Sequence, residues 1–241
     1  MSTHPSVNTT APAVPHPPSP VHLYVAGVGA VGSALLQQIA DRPPSGPELR
    51  LLGACTSSRA AWAPAEAPPR KLLAALSDAP PLDWPSTLDR LTQAAPRPLV
   101  FVDATGSLEV AALYEPLLQA GIHIVTPSKL ANTRSQARFD QLRATAAEQG
   151  VQYRYETTVG AGLPVLQTVQ DLLDTGDQIR TIRGAVSGTL TFLFSTLRSG
   201  ATFSDAVQAA IDHGYTEPDV RDDLSGEDVA RKFLILGRTA G

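Results

Sequence analysis

The feature that most constrains this chain is a glycine-rich turn set between a short apolar run and a helical pattern. Val21 to Ala26 is apolar, Gly27-Val28-Gly29-Ala30-Val31-Gly32 follows at once, and Ala34 to Ala40 has helical composition. Strand, G-x-G-x-x-G, helix is how a dinucleotide-binding βαβ unit begins. The glycines permit a tight turn, let the backbone approach a pyrophosphate, and place that anion at a helix N-terminus. Glycines used only for a tight strand–helix crossing would look the same, so the motif gains its force from the residues on its C-terminal side.

Those residues alternate between strand and helix patterns. Leu49–Ala54, Leu99–Val102 and Ile122–Val125 read as strands, and Leu108–Ala120 and Thr133–Gln149 as helices. Residues 60–98 are Ala/Pro-rich, with helical patterns near Arg70–Ser77 and Ser86–Ala94, and read as an irregular crossover. The pattern predicts an α/β fold over residues 21–150, a Rossmann-like doubly wound parallel sheet. In such sheets ligands bind outside the carboxyl ends of the strands. Two strand-end clusters, Asp103–Ser107 and Thr126–Lys129, should therefore face a cofactor cleft. The second strand ends in Cys55-Thr56-Ser57-Ser58-Arg59, without the acid that usually binds the ribose 2′-OH of NAD. Hydroxyls and an arginine suit a 2′-phosphate better. NADP is expected ahead of NAD, with Arg59 as a contact; an ordinary solvated arginine is the plainer alternative.

Composition narrows the function classes. The net charge of −4 offers no basic field for nucleic acid. The single cysteine, Cys55, excludes an internal disulfide and a cysteine zinc cluster, and fits a reducing, cytoplasmic compartment. No apolar run is long enough to span a bilayer. Residues 1–20 hold six prolines and are expected to be a disordered tail. Of 19 basic residues only Lys71, Lys129 and Lys232 are lysines. A lysine kept in an arginine background suggests a need for what arginine lacks, a pKa that can be moved.

From Gln152 the pattern changes. Tyr153–Val159 alternates like a strand with one exposed face, Gly160-Ala161-Gly162 is a turn, and Leu163–Leu173 is an apolar helix. Ile179–Val186 reads as a strand, and Leu190–Leu197 and Phe203–His213 as helices. Residues 151–241 are thus expected to form a second, α+β domain for substrate binding and dimerisation. Its last stretch, 214–232, packs six carboxylates around one lysine. Ser225 with Asp228 three residues later has a capping-box pattern. Asp228 and Lys232, four apart, share a helix face. A capped surface helix with an exposed ion pair would give the same pattern, worth a few tenths of a kcal/mol.

Glu156-Thr157-Thr158-Val159-Gly160-Ala161-Gly162-Leu163-Pro164, Ser187-Gly188-Thr189-Leu190 and the 214–232 stretch together resemble homoserine dehydrogenase. The resemblance is to the single-function enzymes and to the dehydrogenase portion of bifunctional aspartokinase–homoserine dehydrogenases. It runs from Val21 to Gly241 and thins over 60–98. It implies NAD(P)-dependent interconversion of L-homoserine and L-aspartate 4-semialdehyde, on the route to threonine, isoleucine and methionine. By resemblance, Gly27, Gly29, Val31 and Gly32 hold the pyrophosphate, and Thr105 and Lys129 lie against the cofactor and its nicotinamide ribose. Glu217, Asp223 and Asp228 match the substrate-binding acids, and Lys232 the proton-transfer lysine. Glu156, Val159, Ala161 and Leu163 match a monovalent-cation site, usually sodium, built largely from backbone carbonyls. A homodimer or higher homo-oligomer through the second domain is the family expectation.

The chemistry is coherent with these residue types. Homoserine carries an ammonium, a carboxylate and a hydroxyl. The acids can take the ammonium and polar tail through charge-assisted hydrogen bonds, and N–H groups near Gly188 and Thr189 at a helix start suit the carboxylate. A partly buried lysine with a lowered pKa can protonate the alkoxide that hydride transfer creates. Asp228 would orient that lysine while opposing the lowering; Lys232 is favoured over Lys129 as the acid. Two departures from the family pattern stand out. Ser128 replaces the asparagine usual before the first lysine, and the family continues beyond the final helix, so the domain is expected to be incomplete at its C-terminus. No kinase or regulatory segment is expected within these residues. Aspartate-semialdehyde dehydrogenase, a competing reading, needs a nucleophilic cysteine in the second half, where none occurs. A nucleotide-binding module or inactive fragment without turnover is the non-enzyme alternative.

Overall fold

The computed structural model describes residues 19–43, 46–63, 69–216 and 219–241. The expected tail, up to residue 18, and the candidate substrate ligand Glu217 lie outside the described residues. In chain order, β1 (Val21–Ala26) passes through the glycine turn into α1 (Ala30–Asp41), followed by β2 (Leu49–Cys55) and β3 (Ala60–Trp62). Then come α2 (Pro69–Ala75), α3 (Trp84–Asp89), β4 (Leu99–Asp103), α4 (Leu108–Ala112), α5 (Tyr114–Gln119), β5 (His123–Val125), α6 (Gln136–Glu148) and β6 (Tyr153–Arg154).

The strands form one sheet in the order β3-β2-β1-β4-β5-β6. β1 pairs in parallel with β2 and β4, and the parallel run continues through β5 to β6. Among the described strands only β3 is antiparallel, folded back on β2. The strands are added to one side of β1 as far as β3 and to its other side from β4 on, which makes β1/β4 the switch point at which α/β sheets bind ligands. Side chains of β1 alternate between two cores. Tyr24 and Ala26 join Phe101, Leu117, Leu118 and Leu142 on one face. Leu23 and Val25 join Leu36, Leu51 and Leu72 on the other. Burial on both faces is why β1 and β4 read as near-continuous apolar runs.

The second part is helical among the described residues: α7 (Val165–Asp174), α8 (Gly188–Arg198), α9 (Phe203–Asp212), α10 (Val220–Leu224) and α11 (Glu227–Ala240). Ile235 and Leu236 of α11 bury against Val159 and Leu166. Ala206 and Ala210 of α9 bury against Leu193 of α8. No described helix is long and apolar enough to cross a membrane.

Several elements differ from the sequence expectation for identifiable reasons. The alternation at Tyr153–Val159 yields only β6, which joins the first sheet; Glu156–Thr158 closes into a single 3₁₀ turn. Residues 179–186 form no strand among the described residues, because no neighbouring segment pairs with them. The helix expected over 108–120 breaks at Leu113. Pro116 has no N–H to give to the carbonyl of Ala112, so the chain restarts as α5. The capping box does not form. Gly226, with φ +72°, is the N-cap of α11, and Ser225 Oγ instead accepts from the Glu227 N–H at 3.1 Å. Asp228 is thereby left free for other partners.

Candidate active site

The glycine turn has the shape its sequence predicted. Gly27 has φ +90°, and a Cβ there would lie 2.8 Å from the Ala104 carbonyl oxygen and from Thr105 Cγ2. A Cβ on Gly32 would lie 1.9 Å from the Gly27 carbonyl oxygen. These two glycines let the turn fold on itself and against the end of β4. Gly29 is different: a Cβ there would meet nothing within 4 Å. It is the N-cap of α1 and has no side-chain cap. Open space in front of a helix N-terminus fits a dinucleotide pyrophosphate. Val31, in the first turn of α1, is exposed. Beyond β2, Arg59 is exposed in the turn after Cys55, whose carbonyl accepts the Gly27 N–H at 2.9 Å. One arm of its guanidinium donates to the Ala79 carbonyl.

The two strand-end clusters are tied together through Asp103. This carboxylate is fully buried. It accepts from the Thr105 N–H at 2.7 Å and from the Tyr114 hydroxyl at 2.6 Å. The Asp103 carbonyl accepts from Thr126 Oγ1 at 2.9 Å, and Thr126 Oγ1 in turn accepts from the Ser128 N–H at 2.9 Å. The turn at Thr105 and the loop that presents Lys129 therefore hang on one buried residue. Burial pushes the Asp103 carboxyl up, against the opposing pull of the Thr105 and Tyr114 hydrogen bonds. Burial, then the Asp103 charge, raises the Tyr114 phenol well above its ordinary value, so it stays a donor. Tyr114→Phe leaves one buried carboxylate oxygen without its donor. The expected cost is about 1–3 kcal/mol of stability, read as a lowered thermal midpoint; an unchanged midpoint would remove Tyr114 from this network.

Lys129, Asp228 and Lys232 converge. Lys129 Nζ is 3.1 Å from Asp228 Oδ1, and Lys232 Nζ is 2.6 Å from Asp228 Oδ2. Lys232 Nζ also donates to the Val186 carbonyl at 2.7 Å. One carboxylate thus joins a lysine of the first domain to a lysine of the second. Both lysine side chains are mostly covered, at 24% and 18% exposure. Burial works to raise the Asp228 carboxyl, but the hydrogen bonds and charges of Lys232 and Lys129 outweigh it and hold it below the ordinary carboxylate range. A depressed folded value gives a contribution that is present above the unfolded value, roughly 4, and lost as pH falls through the folded one. The thermal midpoints of the parent and Asp228→Asn should therefore differ by a constant amount from pH 5 to 8 and converge only in stronger acid. A difference that titrates near neutrality would contradict this cluster.

Next to it, Ser187 caps α8 by accepting the Leu190 N–H at 3.1 Å. Among the described residues no bond reaches the Gly188 and Thr189 N–H groups. Thr189 is buried, and its hydroxyl donates to the Tyr215 carbonyl at 2.5 Å and lies 3.1 Å from Asp223 Oδ1. Its side chain positions Asp223, while its N–H stays available. Glu156 is engaged elsewhere: its two oxygens accept the Leu166 and Gln167 N–H groups, each at 2.9 Å, and so cap α7. The turn after it has Ala161 at φ +51°, and the Val159 and Ala161 carbonyls accept no hydrogen bond among the described residues. No cluster of His, Cys, Asp or Glu suited to a metal occurs among the described residues. Sequence reasoning placed Asp103 in a strand-end cluster without giving it a role of its own, and did not find Tyr114 or Val186. The signal for Asp103 was its place at a strand end; the other two act only through contacts distant in sequence.

Comparison with known proteins agrees with this geometry. The family model for the NAD-binding domain of homoserine dehydrogenase matches residues 27–156, and that for homoserine dehydrogenase matches 164–241. The homoserine dehydrogenase of Emericella nidulans is 40% identical over 235 residues, covering 92% of this chain. The bifunctional aspartokinase/homoserine dehydrogenase of Haemophilus influenzae is 37% identical over 238 residues, again covering 92%. The chain spans 64% of the former's length and 28% of the latter's. A hyperthermophilic archaeal homoserine dehydrogenase solved with NADPH superposes with a TM-score of 0.76 at 26% identity, covering 91% of this chain and 69% of that one. The two family matches and the folded site place this chain in the homoserine dehydrogenase family.

Proposed function

We propose that the chain interconverts L-aspartate 4-semialdehyde and L-homoserine with NADPH, or less readily NADH. The observation that carries this reading is the Lys129–Asp228–Lys232 bridge, in a chain whose glycine turn fits a dinucleotide. The bound nicotinamide supplies the hydride. The chain's own residues supply binding and the proton. The Gly188 and Thr189 N–H groups take the substrate carboxylate, and Asp223, with Glu217 from outside the described residues, takes its ammonium. A lysine ammonium has three donors. Lys232 commits two, to Asp228 and the Val186 carbonyl. The third is free for the aldehyde oxygen, which Lys232 protonates as it becomes an alkoxide; in reverse Lys232 receives that proton. Asp228 keeps the ammonium aimed, and Lys129 lies against the cofactor side of the same carboxylate.

A monovalent cation, in practice sodium, is proposed at the Val159–Leu163 turn. The Val159 and Ala161 carbonyls, which accept no hydrogen bond among the described residues, are the donors such an ion takes; the Glu156 and Leu163 carbonyls accept from the Val159 and Val165 N–H groups and would be shared with the ion, the Glu156 carboxylate being a helix cap. The remaining setting follows the family: a homodimer or higher homo-oligomer, in the cytoplasm, on the route to threonine, isoleucine and methionine. Preference for NADPH is proposed from Arg59 and the absence of an acid after β2. Fluorescence titration with NADPH and NADH tests it. NADPH should bind more tightly, and Arg59→Ala should narrow the gap; an unchanged gap would remove Arg59 from the cofactor site.

A further inference from the structure

Helix α11 carries Asp228 and Lys232 near its start and Arg238 near its end. The Arg238 guanidinium donates to the Asn132 carbonyl, to the Arg134 carbonyl at 2.7 Å and to Gln136 Oε1 at 3.0 Å. Its Cζ lies 5.6 Å from the centre of the Phe139 ring. All four partners belong to the loop just after Lys129 or to the start of α6. That loop is itself well fixed. Thr133 donates to the Lys129 carbonyl through its N–H at 3.0 Å and its hydroxyl at 2.9 Å, and the Tyr153 hydroxyl donates to Asn132 Oδ1 at 2.7 Å.

Helix α11 therefore meets the Lys129 loop twice, through Asp228 and through Arg238. Ten residues of helix separate the two points by about 15 Å. One attachment would let the helix pivot; two that far apart fix its direction. Arg238 is not needed to keep α11 attached, because Ile235 and Leu236 already bury against Val159 and Leu166. What it adds is orientation. A planar fork with several donors suits that role, since each bond restricts a different direction.

We propose that Arg238 is a positioning residue that sets the angle of α11 against the Lys129 loop and so assembles the Lys129–Asp228–Lys232 bridge. Its effect on turnover rests on the dehydrogenase reading above; its effect on the loop does not. The test compares Arg238→Gln with the parent by amide hydrogen exchange over residues 129–136, by turnover, and by NADPH titration. Exchange in that loop should speed up by about ten-fold, and kcat should fall by about ten- to a hundred-fold, the range in which small misplacements act. NADPH affinity should stay within about two-fold, and added guanidinium ion should restore part of the lost turnover. Arg231→Gln, whose guanidinium pairs with Glu227 of the same helix and not with the Lys129 loop, should change none of these. Unchanged exchange in the loop, or kcat within about two-fold of the parent well below the melting temperature, would overturn the proposal. If Arg238→Gln does not fold, Arg238→Lys, which keeps one donor group, is judged by the same criteria. If the parent itself shows no turnover, the dehydrogenase reading falls while loop exchange still decides the role of Arg238.

Discussion

Lys232→Ala is expected to reduce turnover of aspartate semialdehyde by about 10²–10⁴-fold, the usual worth of a positioned general acid, with NADPH affinity almost unchanged. The reason is geometric. Lys232 reaches Asp228 and the Val186 carbonyl from α11, and no described contact links it to the glycine turn. Removing it would delete the proposed proton donor and leave the glycine turn proposed to cradle the cofactor intact. Lys129→Ala should behave differently, because Lys129 projects from the loop after β5, at the carboxyl edge of the sheet. There the Michaelis constant for cofactor should rise along with the loss of kcat. Steady-state kinetics paired with cofactor titration separates the two lysines. Near-normal turnover in Lys232→Ala would remove it from proton transfer.

The second large effect is expected at Gly32. Its missing Cβ would sit 1.9 Å from the Gly27 carbonyl oxygen, a distance no pair of non-bonded atoms sustains. Gly32→Ala must therefore push β1 and α1 apart at the turn. The obstructing atom is backbone, which cannot swing aside as a side chain can. Overpacking of this kind costs about 1–3 kcal/mol or more, and NADPH binding should be lost with it. Gly29→Ala is the matched control. Its Cβ meets no protein atom within 4 Å, so the fold should tolerate it, yet the methyl points into the space proposed for the pyrophosphate. Thermal melting should separate them, with Gly29→Ala near the parent and Gly32→Ala far below. NADPH binding should suffer in both. Tight NADPH binding by Gly29→Ala would move the pyrophosphate elsewhere.

The cofactor half was legible because its signals are local. The glycine turn, the apolar runs of β1, β2 and β4, and the strand-end residues Thr105 and Lys129 each depend on a few adjacent residues. Asp228 and Lys232 were legible as a pair for the same reason, through their spacing on one helix. What could not be read was long-range. Nothing local marks Lys129 as the second partner of Asp228, or Arg238 as a clamp on a loop more than a hundred residues earlier. The misread elements fail in the same way. Ile179, Ile182 and Val186 give 179–186 the look of a strand, but a strand exists only with a partner. Ser225 and Asp228 have capping spacing, but Gly226 is the N-cap, and Asp228 pairs with two lysines instead. The same contacts separate the stretch from a simple i,i+4 pair. An exposed ion pair on a capped helix would leave Asp228 with Lys232 alone; the second lysine, from another domain, makes it a junction.

The most direct test of the proposed reaction traces the transferred hydrogen atom. The protein would be incubated with L-aspartate 4-semialdehyde and NADPH deuterated at the transferring C4 position of the nicotinamide, and the product examined by mass spectrometry and NMR. The expected product is L-homoserine carrying one deuterium at C4, formed by the parent and not at a comparable rate by Lys232→Ala. Folded parent protein that binds NADPH yet forms no deuterated homoserine would contradict the proposed reaction.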